Sequence, residues 1–227
     1  MPRNKEQNEE IRCQRRDAII RGALKVYVEK GYAAAEIGDV AEQAGVARGL
    51  VYYYFKDKLA LFRELFKYMF DQSQKHLHSH FDKEDPVCEI LEKFVSSMYN
   101  NMLEQSESVQ FFMRMRHDLN ELFKPDELKN LTWHFENIQV IQNTLTRGME
   151  SGEIRRMAPK LLAGQYWGVV MSGMMYLRQM NQELQNQGKS KAEIAQTIQQ
   201  DIKDAIACCM SLVAPPMQVN SKGDDEN

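Results

Sequence analysis

The chain has 227 residues, of which 43% are hydrophobic and 27% charged, so it holds enough apolar material for a core and is not disordered throughout. Scarce glycine (12) and proline (6), with abundant methionine (14), favour helix. The net charge of −3 hides an asymmetry: residues 1–80 hold 14 Lys+Arg against 11 Asp+Glu, and residues 81–227 hold 15 against 21. A basic front and an acidic back indicate two jobs, and only the front suits nucleic acid. No apolar run reaches about 18 residues, which excludes a membrane-spanning helix as the reading.

In chain order, residues 1–14 are polar and are expected to form a flexible arm. A first helix is predicted from Gln14 to Lys30, with Ile19, Ile20, Ala23, Val26 and Tyr27 as its apolar stripe and Gly31 as its stop. A short helix follows over Glu36–Ala44, with Ile37, Val40, Ala41 and Ala44 inward. Gly45 breaks the chain, and a third helix covers Ala47–Tyr53. The fourth starts at the capping Asp57 and runs to Ser79, burying Phe62, Leu65, Phe66 and Met69. Longer helices are predicted over Pro86–Glu104, Ser108–Leu122, Pro125–Glu150, Pro159–Leu184 and Lys191–Val213. Residues 214–227 are polar and acidic, and a disordered tail is expected. The fold class is therefore all-α, with no strand-like alternation and no repeat.

Two short helices joined by a glycine turn form a helix-turn-helix pattern, with Ile37, Val40 and Ala41 before the turn and Gly45-Val46 in it. Small Ala41 allows a close crossing. Arg48 opens the second of these helices, and its planar fork can hold guanine O6 and N7 together. Gly38 and Gly49 permit close approach to DNA but read nothing, and Leu50 can touch a thymine methyl. Val51 and Phe55 read as core. Tyr54 divides evenly between core and surface, and Lys56 and Lys58 also fit as solvated charges.

The stretches R-R-D-A-I-I-R-G-A-L-K-V-Y-V-E-K-G-Y and I-G-D-V-A-E-Q-A-G-V-A-R-G-L-V-Y-Y-Y-F-K-D-K-L-A-L-F resemble the N-terminal domain of the tetracycline-repressor (TetR) family over residues 15–62. G-M-E-S-G-E-I-R, Gly148–Arg155, is similar to the end of that family's seventh helix. The chain departs from the family where Ala34, Ala35 and Glu36 replace a Thr or Ser opening the second helix, and where Ala47 replaces a Ser. Each loss of a cap oxygen is expected to weaken a helix start by ~1 kcal/mol.

The resemblance implies a three-helix DNA-binding domain over 15–60 and a larger helical ligand-binding and dimerisation domain over 61–213. It implies that Tyr52 and Tyr54 place hydroxyls on phosphates, that Tyr53 lies on a sugar or thymine methyl, and that Lys58 grips a phosphate; Gly38, Ala47, Arg48, Gly49 and Leu50 complete the DNA-binding set. It also implies a pocket for a small apolar or aromatic effector, for which Phe112, Met115, Trp133 and Met171 are the first residues to test. The dimer interface would use the last two long helices, through Ala163, Gly164, Gly168 and Gly173 and the stripe Ile194, Ile198, Ile202, Ala205, Ile206 and Met210. Ordinary packing within one subunit is the alternative for both.

The function expected is a homodimeric, ligand-responsive transcriptional repressor released from its operator. The different-class alternative is a helical protein-interaction module that does not read DNA sequence. No catalytic motif occurs, and neither enzyme activity nor a cofactor is expected. His76 and His80 share a helix face but have no third ligand at a known spacing, so no metal is expected. Cys13, Cys88, Cys208 and Cys209 show no C-x-x-C spacing and read as free thiols; the expected compartment is the cytoplasm.

Overall fold

A computed structural model describes residues 5–104, 106–130 and 133–213. The expected tail over 214–227 lies outside the described residues, as do residues 1–4. Every regular element among the described residues is helical: α1 (Lys5–Ala34), α2 (Ile37–Gln43), α3 (Arg48–Tyr54), α4 (Lys58–Phe81), α5 (Val87–Glu104), α6 (Ser106–Leu122), α7 (Pro125–Asn130), α8 (Trp133–Ser151), α9 (Pro159–Asn186), α10 (Lys191–Thr197) and α11 (Gln199–Leu212). No described helix is long and apolar enough to cross a membrane.

Beyond end shifts of about one turn or less, three expected boundaries change. Helix α1 starts at Lys5, not Gln14. Its early turns lack an apolar stripe but are rich in Glu, Gln and Arg, good helix formers. An Arg12–Glu9 pair (3.8 Å) and a Gln14–Glu10 hydrogen bond (3.4 Å) join successive turns there. The helix expected over 125–150 is described as α7 and α8, with residues 131–132 outside the described set. The helix expected over 191–213 is interrupted at Ile198, whose φ of −90° and ψ of 4° leave the helical region. Thr197 Oγ1 donates to the Glu193 carbonyl (2.7 Å), a back-bond that bends helices, while Ile198 itself is buried.

The contacts form two compact units. The first comprises the described residues within Met1–His76 and Glu104–Trp133. Its core centres on Tyr27, fully buried, whose ring meets Phe62, Phe66 and Phe111 at centroid distances of 6.1, 5.3 and 5.2 Å. The Tyr27 hydroxyl donates to Asp118 (2.6 Å), and burial above all holds that phenol protonated. Two arginines tie α6 and α7 to the head. Gly31 breaks the helical path inside α1 at φ 76°, and Arg114 donates to the Val28 carbonyl (3.1 Å) just before that break and fills the space beside Gly31. Arg63 donates to the Leu122 carbonyl (2.6 Å) and makes a two-pronged pair with Glu127 (3.0 and 3.2 Å). It also lies 5.4 Å over the Phe123 ring.

The second unit comprises the described residues within Leu77–Leu103 and His134–Asn227. Tyr99 and Tyr166 are its largest fully buried side chains; their hydroxyls donate to the carbonyls of Val170 (3.1 Å) and Leu91 (2.9 Å). The segment Gly148–Arg155 closes α8 onto the start of α5. Gly148 has no room for a side chain beside Val87 and Ile154, and Gly152 takes the left-handed turn at φ 82°. Glu153 accepts from the Val87 amide (2.6 Å), placing a carboxylate at the α5 N-terminus.

Candidate nucleic-acid interface

The turn between α2 and α3 is built by backbone hydrogen bonds alone. Gly45 donates to the Glu42 carbonyl (3.1 Å) and Val46 to the Ala41 carbonyl (2.9 Å), the pair of bonds that defines a Schellman end. Gly45 sits at φ 64°, and a Cβ there would meet nothing within 4 Å, so its requirement is conformational and not spatial. Gly45→Ala is therefore expected to cost ~1–2 kcal/mol of stability, read by denaturant unfolding, with Gly45→Asn costing less. Ala41 is buried at 4% exposure, and Gly22 allows a second close approach, of α1 to α2: a Cβ there would lie 3.0 Å from Ala44 Cβ and from the Val40 carbonyl oxygen.

The start of α2 has a substitute for the absent Ser or Thr cap. Asp39 accepts from the Glu36 amide (3.1 Å) and pairs with Lys30 (2.9 Å). That lysine first, then the amide, holds the Asp39 carboxyl below its usual range. Ala47 precedes α3 without any side-chain cap. Asp57 does cap α4 as expected, accepting from the Ala60 amide (2.7 Å).

Val51 and Phe55 are buried at 0% and 6% exposure and fix α3 to the core. Helical spacing then turns Arg48, Gly49, Tyr52 and Tyr53 outward together. Tyr53 is 74% exposed and Tyr52 46%. Leu50 is half-buried, and Tyr54 is half-buried with its ring edge-on to Tyr53 (5.2 Å). The Arg48 guanidinium reaches the Tyr52 hydroxyl only at 3.5 Å and lies 5.8 Å over its ring, a loose hold on an exposed cation. Gly38 and Gly49 have nothing within 4 Å of a Cβ position, so packing in this chain does not demand glycine at either. Lys58 is less free than sequence implies: Nζ donates to the Ala33 carbonyl (2.9 Å) and lies 4.7 Å over the Tyr32 ring. Its ammonium retains further donors.

The structure adds neighbours that sequence reasoning missed. A groove of about 740 Å³ runs beside α3, lined on the α1 side by Asn8, Glu9, Ile11, Arg12 and Arg15 and on the α3 side by Leu50, Tyr53 and Tyr54. Basic residues preceding an amphipathic helix were the available signal.

The effector candidates are divided. Phe112 and Met115 stand on α6 in the first unit: Phe112 is half-buried, 5.3 Å from Phe111, and Met115 is 4% exposed within the aromatic core. Met171 is half-buried on α9 in the second unit. Trp133 belongs to α8, and its side chain lies outside the described set.

The small residues of α9 also divide by face. Gly173 points inward, where a Cβ would collide with the Tyr99 hydroxyl, and Ala163 is fully buried. Gly164 and Gly168 are exposed with nothing within 4 Å of a Cβ. They lie in one stripe with exposed Leu161 (57%) and Met175 (55%), while Tyr176 (49%) stands about a quarter-turn away and donates to Asp201 (3.0 Å). Ile194, Ile198 and Ile202 are buried within their own unit, leaving Ala205, Ile206 and Met210 half-buried. All four cysteines are free, and no described group of three His, Cys, Asp or Glu is placed to hold a metal ion.

Residues 19–65 match the family model described as bacterial regulatory proteins, tetR family. Over 159 residues the chain is 26% identical to the "Fatty acid metabolism regulator protein" of Bacillus subtilis (strain 168), covering 64% of this chain and 76% of the relative. The crystal structure of a TetR family transcription regulator from Marinobacter aquaeolei VT8 is similar with TM-score 0.65 at 19% identity, covering 92% of this chain and 100% of that one. The transcriptional regulator FadR from Bacillus subtilis, solved in complex with stearoyl-CoA, is similar with TM-score 0.60 at 21% identity, covering 86% and 98%.

Proposed function

We propose that this chain, a member of the tetR family of bacterial regulatory proteins through its N-terminal domain, is a homodimeric, ligand-responsive transcriptional repressor. Residues 15–60 read an operator in double-stranded DNA, and residues 61–213 sense the effector and form the dimer. The observation that carries the reading is the outward face of α3: Arg48, Gly49, Tyr52 and Tyr53 exposed together on a helix that Val51 and Phe55 lock to the core. Arg48 reads a base edge, while Tyr52, Tyr53, Tyr54 and Lys58 hold register on the backbone, and Gly38, Ala47, Gly49 and Leu50 line the close approach.

The α9 stripe supports the dimer. An exposed apolar face broken by two glycines that no neighbour in the chain requires is explained by a second copy packed close against it. Two heads so joined meet half-sites about 34–36 Å apart or more. A small, largely apolar effector that favours one spacing of the heads then releases the DNA by differential affinity, with ~1–3 kcal/mol of coupling. Phe112, Met115, Trp133 and Met171 are the first residues to substitute, one at a time, in locating its pocket. The work is that of a cytoplasmic, non-enzymatic protein.

The test is DNA binding measured at two salt concentrations, without and with stearoyl-CoA. That probe is chosen because a relative is named for fatty acid metabolism and the B. subtilis FadR structure holds it. Affinity is expected to fall steeply with salt, by a slope of about −0.9 per phosphate held, and to fall again on adding the acyl-CoA. Salt-insensitive binding, or none, would instead favour the protein-interaction module. Loss of DNA with an unrelated apolar ligand but not with stearoyl-CoA would keep the repressor and replace the effector.

A further inference from the structure

We infer that the groove between the early turns of α1 and the outer side of α3 is a second seat for the DNA backbone, in which Arg15 and Arg12 hold phosphate. The inference rests on the DNA-reading function and extends it beyond the helix-turn-helix.

The first fully buried residue of α1 is Ile19. Before it the helix overhangs the core, with only Ile11, Arg16 and Ala18 half-buried among the residues from Glu6 onward. Asn8, Ile11, Arg12 and Arg15 follow helical spacing, so one side of the overhang faces the groove. Leu50, Tyr53 and Tyr54 form the opposite wall. Tyr53 belongs both to this wall and to the exposed face of α3, so a DNA strand passing over that face continues into the groove.

Charge selects the occupant. Three cations of the same unit are engaged within the chain: Arg16 pairs with Glu64, Lys30 with Asp39, and Lys58 with the Ala33 carbonyl. Arg15 has no hydrogen bond or ion pair among the described residues. Among the described residues Arg12 reaches only Glu9, at 3.8 Å, with both side chains more than 60% exposed. Such a pair is readily exchanged for a phosphate. Glu9 also lines the groove, and Glu6 and Glu10 lie on the same early turns. Acid therefore concentrates before Ile11, while Arg12, Arg15 and Arg16 follow it without an acid between them. That gradient places the phosphate at the level of Arg12 and Arg15 and repels it from the tip.

The test uses the full chain and a labelled, short duplex of random sequence, titrated over a salt series. Arg15→Gln keeps helix propensity, and circular dichroism confirms that each variant retains its helix content. Arg15→Gln is expected to flatten the salt slope by about 0.9, and adding Arg12→Gln to flatten it further. Glu9→Gln is expected to move the other way and tighten binding. An unchanged slope in the double variant, with Glu9→Gln neutral and wild-type binding still steeply salt-dependent, overturns the groove and leaves the DNA reader standing. Salt-insensitive binding by the wild type overturns both.

Discussion

Gly168→Arg is expected to leave the chain folded and to convert a dimer into a monomer with ~100- to 10,000-fold weaker operator affinity, the avidity that two linked heads supply. The fold is spared because Gly168 is exposed and a side chain there has open space within its own chain. The dimer is not spared. Helices packed through glycine approach to about 8 Å, and a long charged side chain at their crossing forces them apart. Disrupting the centre of an interface costs ~2 kcal/mol or more. Gly173→Ala is the internal control, because it drives a methyl into the Tyr99 hydroxyl and should lower melting temperature instead. Light scattering separates the two variants. A Gly168→Arg protein that remains dimeric at full affinity would remove the α9 stripe from the interface.

Arg48→Ala is expected to weaken binding by ~1–3 kcal/mol at one or two base pairs of the operator and to leave discrimination elsewhere intact. Arg48 opens α3, is exposed, and is restrained only by a 3.5 Å contact to Tyr52. With glycine at 38 and 49, few other side chains extend from this face. Arg48→Lys should not restore the discrimination, since an ammonium cannot present a two-pronged fork. Competition binding with single-base operator variants measures this. Equal weakening across all variants would assign Arg48 to phosphate.

What was legible in the sequence was local. The Schellman end at Gly45-Val46 and the Asp57 cap are made by residues three to five apart, so their spacing displays them. Val51 and Phe55 followed from helical period. The interruption at Ile198 was hidden because Ile194, Ile198 and Ile202 keep that period across it, while a Thr197 back-bond accompanies the break. Gly164, Gly168 and Gly173 looked alike on one helix; only the Tyr99 side chain, distant in sequence, separates the inward glycine from the outward two. The bond from Lys58 to the Ala33 carbonyl was not legible, because that carbonyl lies outside any local window. Arg63 and Arg114, which tie α6 and α7 to the head, left no sequence signal, since a cation's burial against carbonyl groups has no periodicity. The early turns of α1 were read as an arm because that reading followed apolar stripes, and these turns are helical without one.

The most direct measurement is selection of duplexes from a random pool by the full chain, followed by sequencing. The account predicts enrichment of a two-fold symmetric site, with half-site centres about one helical turn apart or more, and with a guanine at the position that Arg48→Ala relaxes. A pool that remains random after selection, while the protein is folded and dimeric, would contradict it.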